Sequence, residues 1–312
     1  MSNPTGAEAT ANPDRFVYHQ LFTPNFYHDV YPSIKPENLQ LKQDGRIILI
    51  TGASGPIASE HARFFAKAGA KAIILTARRL EALESLKKEI ENINSAVEID
   101  CVQGDLTSEE DVNSLWNSSV EKFGTIDVVI SCAASRSQMK KIGDTDIQGW
   151  WSDFVCQLDE TNVKALYLLA RHTANLKSEN PVTFINVTSS MAIETIPTRS
   201  NYAITKSASC RLIEYLHAEH PNVRAFNLHP GIVPNGVQFA MLSGANVDTA
   251  ALSAGVSLYL TTPQAEFLRG RFMSANWAVD DLEAKQDEIV KQNLLTTYIR
   301  AKFGPGGHFA QQ

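Results

Sequence analysis

The sequence has few cysteines. Its 312 residues contain four, and these lie far apart along the chain, three of them inside apolar runs. They are Cys101, Cys132, Cys156 and Cys210. Disulfide-stabilised secreted proteins are short and dense in cysteine, so this pattern indicates reduced cysteines in an intracellular protein. We therefore expect a cytoplasmic location.

The sequence also lacks a basic excess and a long apolar run. Lys and Arg number 28 against 34 Asp and Glu, which leaves no electrostatic footprint for nucleic acid. No apolar run approaches the ~20 residues of a membrane span, and the N-terminus lacks the apolar core of a secretory signal. His217 and His220 have metal-like spacing but no further ligands nearby, so no metal site is expected.

The composition and its changes along the chain predict one main domain with extensions. An apolar content of 44% supports a substantial core, and one domain of roughly 250 residues fits the length. Met1 to about Asp14 is too polar to order itself. Arg15 to Tyr31 is dense in aromatic residues, and we interpret this aromatic strap as lying across the domain or a partner subunit. We divide the chain into an extension at 1–44, partly disordered, a catalytic domain at 45–277, and a C-terminal part at 278–312.

The middle of the chain alternates apolar strands with helices. The predicted strands show no polar alternation, which is typical of a parallel sheet buried on both faces. They include Ile47 to Ile50, Ala72 to Leu75, Val97 to Val102, Ile126 to Ile130 and Val182 to Val187. Thr107 with Glu110 predicts a capping box before the third helix. The predicted fold is α/β, a single doubly wound Rossmann domain with a parallel seven-stranded sheet.

A glycine-containing turn follows the first strand and opens a helix, reading Thr51-Gly-Ala-Ser-Gly-Pro-Ile-Ala58. In a doubly wound sheet such a turn receives a pyrophosphate, because backbone amides approach it closely and the helix N-terminus is positive. Arg78 and Arg79 follow the second strand, where the adenosine ribose would lie. Arginine there favours the 2′-phosphate of NADP over NAD, and the alternative is two solvated arginines at a helix start.

Tyr202 and Lys206 lie four residues apart on a predicted helix, so they share one face. A positive charge within about 4 to 6 Å of a phenol favours the phenolate, so the phenol exchanges its proton more easily. Ser189, thirteen residues earlier, offers a hydroxyl to the same substrate oxygen. Taken alone, a Tyr/Lys pair is more often solvated surface.

Together these residues resemble the short-chain dehydrogenase/reductase family, over about Gln43 to Gly270. The resemblance assigns a catalytic tetrad, a phosphate turn, an adenine-holding acid and a loop after the sixth strand. The tetrad is Asn162, Ser189, Tyr202 and Lys206. The cofactor residues are Gly52, Ser54, Gly55, Ile57, Arg78, Arg79, Asp105, Leu106, Ala133, Tyr202, Lys206, Pro230, Gly231 and Val233. The aromatic strap and the run Phe267 to Trp277 further resemble the sequences of a subgroup of this family that is common in fungal biosynthetic and catabolic pathways.

The resemblance implies hydride transfer between NADP(H) and a carbonyl or alcohol, with Tyr202 as general acid, Ser189 steadying the oxygen, and Asn162 positioning a water. For Asn162 the alternative is a helix-bend residue bonded to backbone. Pro56 and the segment Ser131 to Ala134 depart from the family pattern. They motivate a second hypothesis, a redox-silent protein that senses a nucleotide or catalyses an isomerisation or pericyclic reaction.

Three segments are expected to choose the substrate: Ser135 to Asp144, Met191 to Ser200, and Pro234 to about Ala245. The last contains Val237, Phe239, Met241 and Leu242, which favours a fairly apolar carbonyl or alcohol. His229, before Pro230, is expected only to cap a strand end.

Beyond the main domain, Asp281 to Phe303 predicts a C-terminal helix. Its apolar stripe contains Leu282, Ile289, Leu294, Tyr298 and Ile299. Such a stripe outside the usual core suggests packing onto a second subunit. Together with the habit of the family, it indicates a homodimer or homotetramer.

Overall fold

The apolar runs of the sequence form one parallel sheet of seven strands. A computed structural model of the chain describes residues 12–135, 139–234 and 244–298, without the side chains of residues 156–158. The strands are β1 (Ile47–Thr51), β2 (Ala72–Ala77), β3 (Glu98–Gln103), β4 (Val128–Ser131), β5 (Val182–Val187), β6 (Val223–His229) and β7 (Phe272–Ser274). Their order is β3-β2-β1-β4-β5-β6-β7. This confirms the predicted doubly wound α/β fold.

Helices cover both faces of the sheet. They are α1 (Pro56–Lys67), α2 (Leu80–Ile93), α3 (Glu109–Phe123), α4 (Ile147–Ser152), α5 (Ala165–Asn175), α6 (Ser200–Glu219), α7 (Ala250–Leu260), α8 (Val279–Ala284) and α9 (Gln286–Lys291). A π-helix, Asp153–Lys164, joins α4 to α5. In the parts of the chain that the structure describes, no helix combines the length and apolarity needed to cross a membrane.

The central strand β1 shows why the strands lack polar alternation. Ile48 and Ile50 pack in a cluster with α1 and α7, while Ile47 and Leu49 pack in the opposite cluster with α3, α5 and α6. Every residue of β1 is therefore buried. At roughly 25 cal/mol per Å² of apolar surface, burial on two faces stabilises such a strand more than one-sided packing.

The reversal of strand order lies between β1 and β4. β1 pairs with β2 on one side and with β4 on the other. Since the connections after these strands leave in opposite directions, a crevice opens beyond their carboxyl ends. The fold thus fixes the position of a ligand site before any side chain is considered.

The aromatic strap packs onto the C-terminal part of the same chain. Tyr31 is buried, stacks on Tyr27 with ring centroids 3.9 Å apart, and accepts a hydrogen bond from the Val279 amide. The Trp277 indole donates to the Gln20 carbonyl oxygen at 2.9 Å. Of the two predicted positions, domain or partner subunit, the structure shows the first. Residues 1–11, most of the expected disordered leader, lie outside the described residues.

The predicted C-terminal helix is wrong in its described part. It is two short helices, α8 and α9, separated at Lys285, and Leu295 then has a φ of 63°. Beyond the end of α9 at Lys291, the Leu295 carbonyl oxygen accepts from the Phe272 amide at the edge of β7. Leu282 and Ile289 are fully buried within this chain, so the apolar stripe does not need a second subunit. Residues 299–303 lie outside the described residues.

The capping box predicted at Thr107 is displaced by one residue. Ser108 is the N-cap of α3, and its Oγ accepts from the Asp111 amide. Thr107 instead donates its hydroxyl to Asp105 Oδ1 at 2.9 Å. The local pattern identified the helix start to within one residue, but Thr107 bonds to Asp105, two residues before it, and Ser108 is the cap.

Candidate active site

Two adjoining cavities lie along the carboxyl ends of the strands. One, of about 380 Å³, is bounded by the glycine turn, the end of β5, the start of α6 and the loop after β6, and we call it the Tyr202 cavity. The other, of about 530 Å³, extends over β2 and β3, and we call it the Arg78 cavity. Gly52, Gly55, Cys132 and Ala134 line both. The two cavities therefore form one groove across the sheet edge.

Most of the predicted site residues line this groove. In the Tyr202 cavity these are Gly52, Gly55, Ile57, Ser189, Tyr202, Lys206, Pro230, Gly231 and Val233. In the Arg78 cavity they are Gly52, Ser54, Gly55, Arg78, Asp105, Leu106 and Ala133. Arg79 and Asn162 line neither cavity. Val237, Phe239, Met241 and Leu242 lie outside the described residues.

Tyr202 and Lys206 face each other across one turn of α6. Lys206 is 3% exposed, and its Nζ lies 5.9 Å from the centre of the Tyr202 ring. The same ammonium donates to the Val187 carbonyl oxygen at 3.2 Å. A buried ammonium needs such partners, because an unpaired charge in the interior is costly. The helix and the end of β5 thus hold a positive charge beside a phenol.

Ser189 follows β5 and caps a short 3₁₀ turn. Its Oγ accepts from the Met191 amide at 3.3 Å, which uses a lone pair and leaves the hydroxyl proton for another acceptor. Ser189 and Tyr202 line the same cavity. Two hydroxyl donors on one cavity are suited to binding a single oxygen atom.

Asn162 supports the groove from behind. Its Oδ1 accepts from the Ser135 amide at 2.9 Å, and its Nδ2 donates to the Ser135 carbonyl oxygen and to Thr205 Oγ1. Both ends of the carboxamide are bonded to protein, which ties the segment after β4 to α6. The assignment of Asn162 as a catalytic residue stays a prediction, and these contacts favour a supporting role for its side chain.

The glycine turn brings two strands into close approach. Gly52 has a φ of +66°, and a Cβ added there would lie 2.9 Å from Ala133 N and Cα. Pro56 occupies the first turn of α1, where the missing amide is one that the helix would leave unpaired in any case. The departure at Pro56 therefore does not disturb the helix N-terminus.

The far end of the groove combines a cation with a carboxylate. Arg78 and Asp105 both line the Arg78 cavity. The Thr107 backbone amide holds the pKa of Asp105 below its usual range, against the opposing effect of burial, and Arg78 contributes. Both arginines are exposed, and Arg79, which immediately precedes α2, lines neither cavity. Of the two predicted arginines, only Arg78 is placed to touch a ligand.

His229 and Arg199 also line the Tyr202 cavity, although the sequence analysis expected His229 only to cap a strand and included Arg199 only within the substrate segment Met191 to Ser200. His229 is 3% exposed, and burial lowers the pKa of its imidazole to about 4, so the ring is neutral at pH 7. Arg199 immediately precedes α6. The sequence indicated these two residues only by their position, since each lies within three residues of a predicted site residue along the chain.

The aromatic strap and the residues before it contact two walls of the Tyr202 cavity. In the wall after β5, Glu194 pairs with His19 at 2.5 Å and accepts from Gln20, and this carboxylate raises the pKa of His19. In the wall after β6, the buried carboxylate of Asp248 pairs with His28 at 2.5 Å and accepts from the Ile232 amide. Each wall is therefore bonded to residues near the start of the chain.

Two buried histidines predict how stability depends on pH. Burial lowers the pKa of His61 and of His229 to about 4, whereas an unfolded histidine titrates near ~6.5. Between these values the unfolded state binds more protons, so stability rises with pH and is lost as pH falls through the window. We expect a loss of roughly 1 kcal/mol for each histidine between about pH 7.5 and 5.5. Urea unfolding across this range measures it.

The matched control for this expectation is His229→Leu, which removes one of the two groups. The variant should lose the contribution of one histidine, roughly 1 kcal/mol, because His61 remains with its bonds to Ile57 O and Ser257 Oγ. Equal slopes in the parent and the variant would contradict the assignment.

Comparison with known proteins decides the family. A sequence model of the family described as short chain dehydrogenase matches residues 46–242, more than half of the chain. The chain belongs to the short-chain dehydrogenase/reductase family. It is a family of oxidoreductases that use nicotinamide cofactors and act on small molecules. The family resemblance inferred from the sequence is confirmed.

Individual relatives within the short-chain dehydrogenases are fungal. A short chain dehydrogenase of Aspergillus terreus is 31% identical over 283 residues, 86% of this chain and 59% of the relative. One of Monascus purpureus is 30% identical over 278 residues, 86% of this chain and 93% of the relative. The chain thus spans a little over half of the first relative and nearly all of the second.

Solved short-chain dehydrogenases share the fold. A short-chain type dehydrogenase/reductase from Mycobacterium ulcerans has a TM-score of 0.67 at 20% identity, covering 75% of this chain and 89% of its own. A 7α-hydroxysteroid dehydrogenase, solved with NADH and 7-oxoglycochenodeoxycholic acid, has a TM-score of 0.65 at 21% identity. The match covers 78% of this chain and 96% of that one. At these identities the comparison supports the fold alone.

Proposed function

We propose that this protein interconverts a carbonyl and an alcohol by hydride transfer with NADP(H), using Tyr202 as general acid and base. The observation that carries the proposal is the shared lining of the Tyr202 cavity by a phenol, a serine hydroxyl and a buried ammonium. The cavity adjoins the Arg78 cavity, so one groove runs from Tyr202 to Arg78. That combination suits a polarised carbonyl next to a bound nicotinamide.

In reduction, the protein residues act on the carbonyl oxygen. When bound, NADPH supplies the hydride. Ser189 donates a hydrogen bond to the oxygen as negative charge develops there, and Tyr202 gives it a proton. Lys206 offsets the charge left on the phenolate, since its ammonium lies beside the ring. In oxidation the same groups act in reverse, with Tyr202 as the base.

The residues present fit a phosphorylated dinucleotide. Gly52 gives close approach at the turn, the N-terminus of α1 gives positive potential, and the Pro230 to Val233 loop closes the opposite side. Arg78 would bind the 2′-phosphate of NADP, and Asp105 with Leu106 would border the adenine. NAD remains possible for the same groove, because the phosphate contact rests on Arg78 alone.

The cofactor assignment predicts a result for Arg78→Ala. We expect the parent to prefer NADPH over NADH, and the variant to lose about tenfold or more of that preference, because an arginine and phosphate pair is charge-assisted. The ratio of kcat/KM for the two nucleotides measures it. Arg79→Ala is the matched control, since Arg79 lines neither cavity, and its ratio should not change. A parent that uses both nucleotides equally would remove the assignment.

The second candidate function is a redox-silent protein of the same fold. It is motivated by the segment Ser131 to Ala134, where Cys132 and Ala134 line both cavities in place of the family's usual residues. Titration of NADPH, followed by its fluorescence, separates the two. Absence of binding at millimolar cofactor would favour the second candidate. Binding together with consumption of NADPH in a screen of ketones would favour the oxidoreductase.

A homodimer or homotetramer also stays a proposal. The C-terminal stripe no longer supports it, but exposed aromatic and apolar residues lie along α4 to α6. They are Trp151, Tyr167, Ile204 and Tyr215. Light scattering on the purified protein gives its mass, and a monomer at micromolar concentration would contradict the proposal.

A further inference from the structure

His229 is a buried polar side chain without a partner in the Tyr202 cavity. It ends β6, and its carbonyl oxygen is used in a bond from the Ala275 amide. Its ring is different: Nδ1 is fully buried with no hydrogen-bond partner, whereas Nε2, for which no bond to a described residue is found, is not fully buried. The neutral imidazole therefore presents one donor and one acceptor that the protein does not satisfy.

Such a group is unusual in a protein interior. About nine-tenths or more of buried polar groups have a partner, because leaving one unpaired forfeits its bonds to water. An apolar residue at the end of β6 would avoid that loss. A ligand in the cavity cannot reach the enclosed Nδ1, so Nε2 is the ring atom for which it would supply a partner.

The other polar groups of the cavity show which kind of ligand group fits. Ser189 and Tyr202 are committed to one oxygen, the reacting one, in the proposed function. Arg199 and Lys206 are cations, and no carboxylate belongs to the described lining. The described lining thus contains cationic but no anionic side chains, which suits a substrate that carries oxygen atoms.

We propose that the substrate carries a second oxygen, a carbonyl or hydroxyl, close to the reacting carbonyl, and that the His229 ring binds it. This inference rests on the proposed function and names its substrate class, which is an oxygenated ketone or the matching alcohol. The rest of the substrate molecule is compatible with an apolar character. A simple ketone leaves the imidazole unpaired. Sites built to hydrogen-bond a substrate oxygen discriminate strongly against analogues that lack it.

Three ketones of one chain length test the proposal: heptan-2-one, heptane-2,3-dione and heptane-2,4-dione. The diones are intrinsically more reactive, so the quantity to compare is the dione-to-monoketone ratio of kcat/KM in the parent and in variants. In His229→Leu this ratio should fall ~10- to 100-fold, the effect of one buried hydrogen bond and its unpaired partner. In His229→Gln, which keeps a donor and an acceptor, part of the preference should remain.

The affinity for NADPH, measured by fluorescence, is the second readout. It should change less than about twofold in His229→Leu. An unchanged dione ratio would overturn the proposal, and a cofactor affinity that falls while the ratio holds would assign His229 to the cofactor instead. If the leucine variant does not fold, His229→Met, an adaptable apolar side chain, makes the same comparison.

Failure of the proposed function gives a different result from failure of this inference. In the first case the parent neither binds NADPH nor consumes it with any of the three ketones. In the second it reduces all three, and the loss of the imidazole leaves their ratio unchanged.

Discussion

Replacing Tyr202 by phenylalanine is expected to reduce turnover about a thousandfold while changing the affinity for NADPH less than about twofold. A positioned general acid typically contributes 10²- to 10⁴-fold, and this variant removes only the hydroxyl that would give the proton. The ring stays in place on α6, and Lys206 keeps its bond to the Val187 carbonyl oxygen. Steady-state rates with a reducible ketone, and fluorescence titration of NADPH, measure the two effects.

Tyr215→Phe is the matched control for that experiment. Tyr215 lies on the same helix but is 51% exposed and lines neither cavity. Its loss of a hydroxyl should leave the rate unchanged. A Tyr202→Phe protein as active as the parent would refute the role of the phenol as acid, and with it the proposed mechanism.

The second large effect is expected at the glycine turn. Gly52→Ala should destabilise the fold by about 3 kcal/mol or more and weaken cofactor binding, since the φ of +66° disfavours alanine and the new Cβ meets backbone atoms of Ala133 at 2.9 Å. Backbone atoms cannot rotate away as a flexible side chain can. Strands β1 and β4 would have to separate at the point where the groove begins. Urea unfolding and NADPH titration measure the two losses.

Comparison with Gly45→Ala isolates the contribution of the close approach between Gly52 and Ala133. Gly45 has a φ of +78°, similar to that of Gly52, but an added Cβ there meets nothing within 4 Å. That variant should lose only the conformational term, about 1 kcal/mol, with unchanged cofactor affinity. If both variants were equally destabilised, the close packing of Gly52 against Ala133 would not be important for stability.

The fold could be predicted because its signals are local. A run such as Ile47 to Ile50 has no polar alternation, and only a sheet covered on both faces explains that pattern. The spacing of Ser189, Tyr202 and Lys206 likewise depends on one strand end and one turn of helix. These residues lie near each other in sequence or at fixed places in a known topology, so their convergence followed from the sequence alone.

What the sequence did not reveal depends on distant partners. The segment after Lys291 was also predicted to be helical, but there the helix has ended and the Leu295 carbonyl oxygen accepts from the Phe272 amide instead. Thr107 is an exception, because it is a good cap by type but bonds to Asp105, which is only two residues away. From the sequence, His229 was interpreted only as a residue that caps a strand end. In the structure it is notable because its ring Nδ1 has no hydrogen-bond partner. An absence of that kind has no signature in a linear pattern.

The aromatic strap also constrains when the protein can become active during its synthesis. The ribosome makes the strap first, but Glu194, Asp248 and Trp277, which it docks against, are made much later. Until then Phe22, Tyr27 and Tyr31 lack the surface that covers them in the folded chain. The nascent chain therefore exposes the apolar side chains of the aromatic strap, which favours chaperone binding. A truncated translation product that stops before Trp277 would keep the nucleotide turn yet lack a complete anchor for the strap.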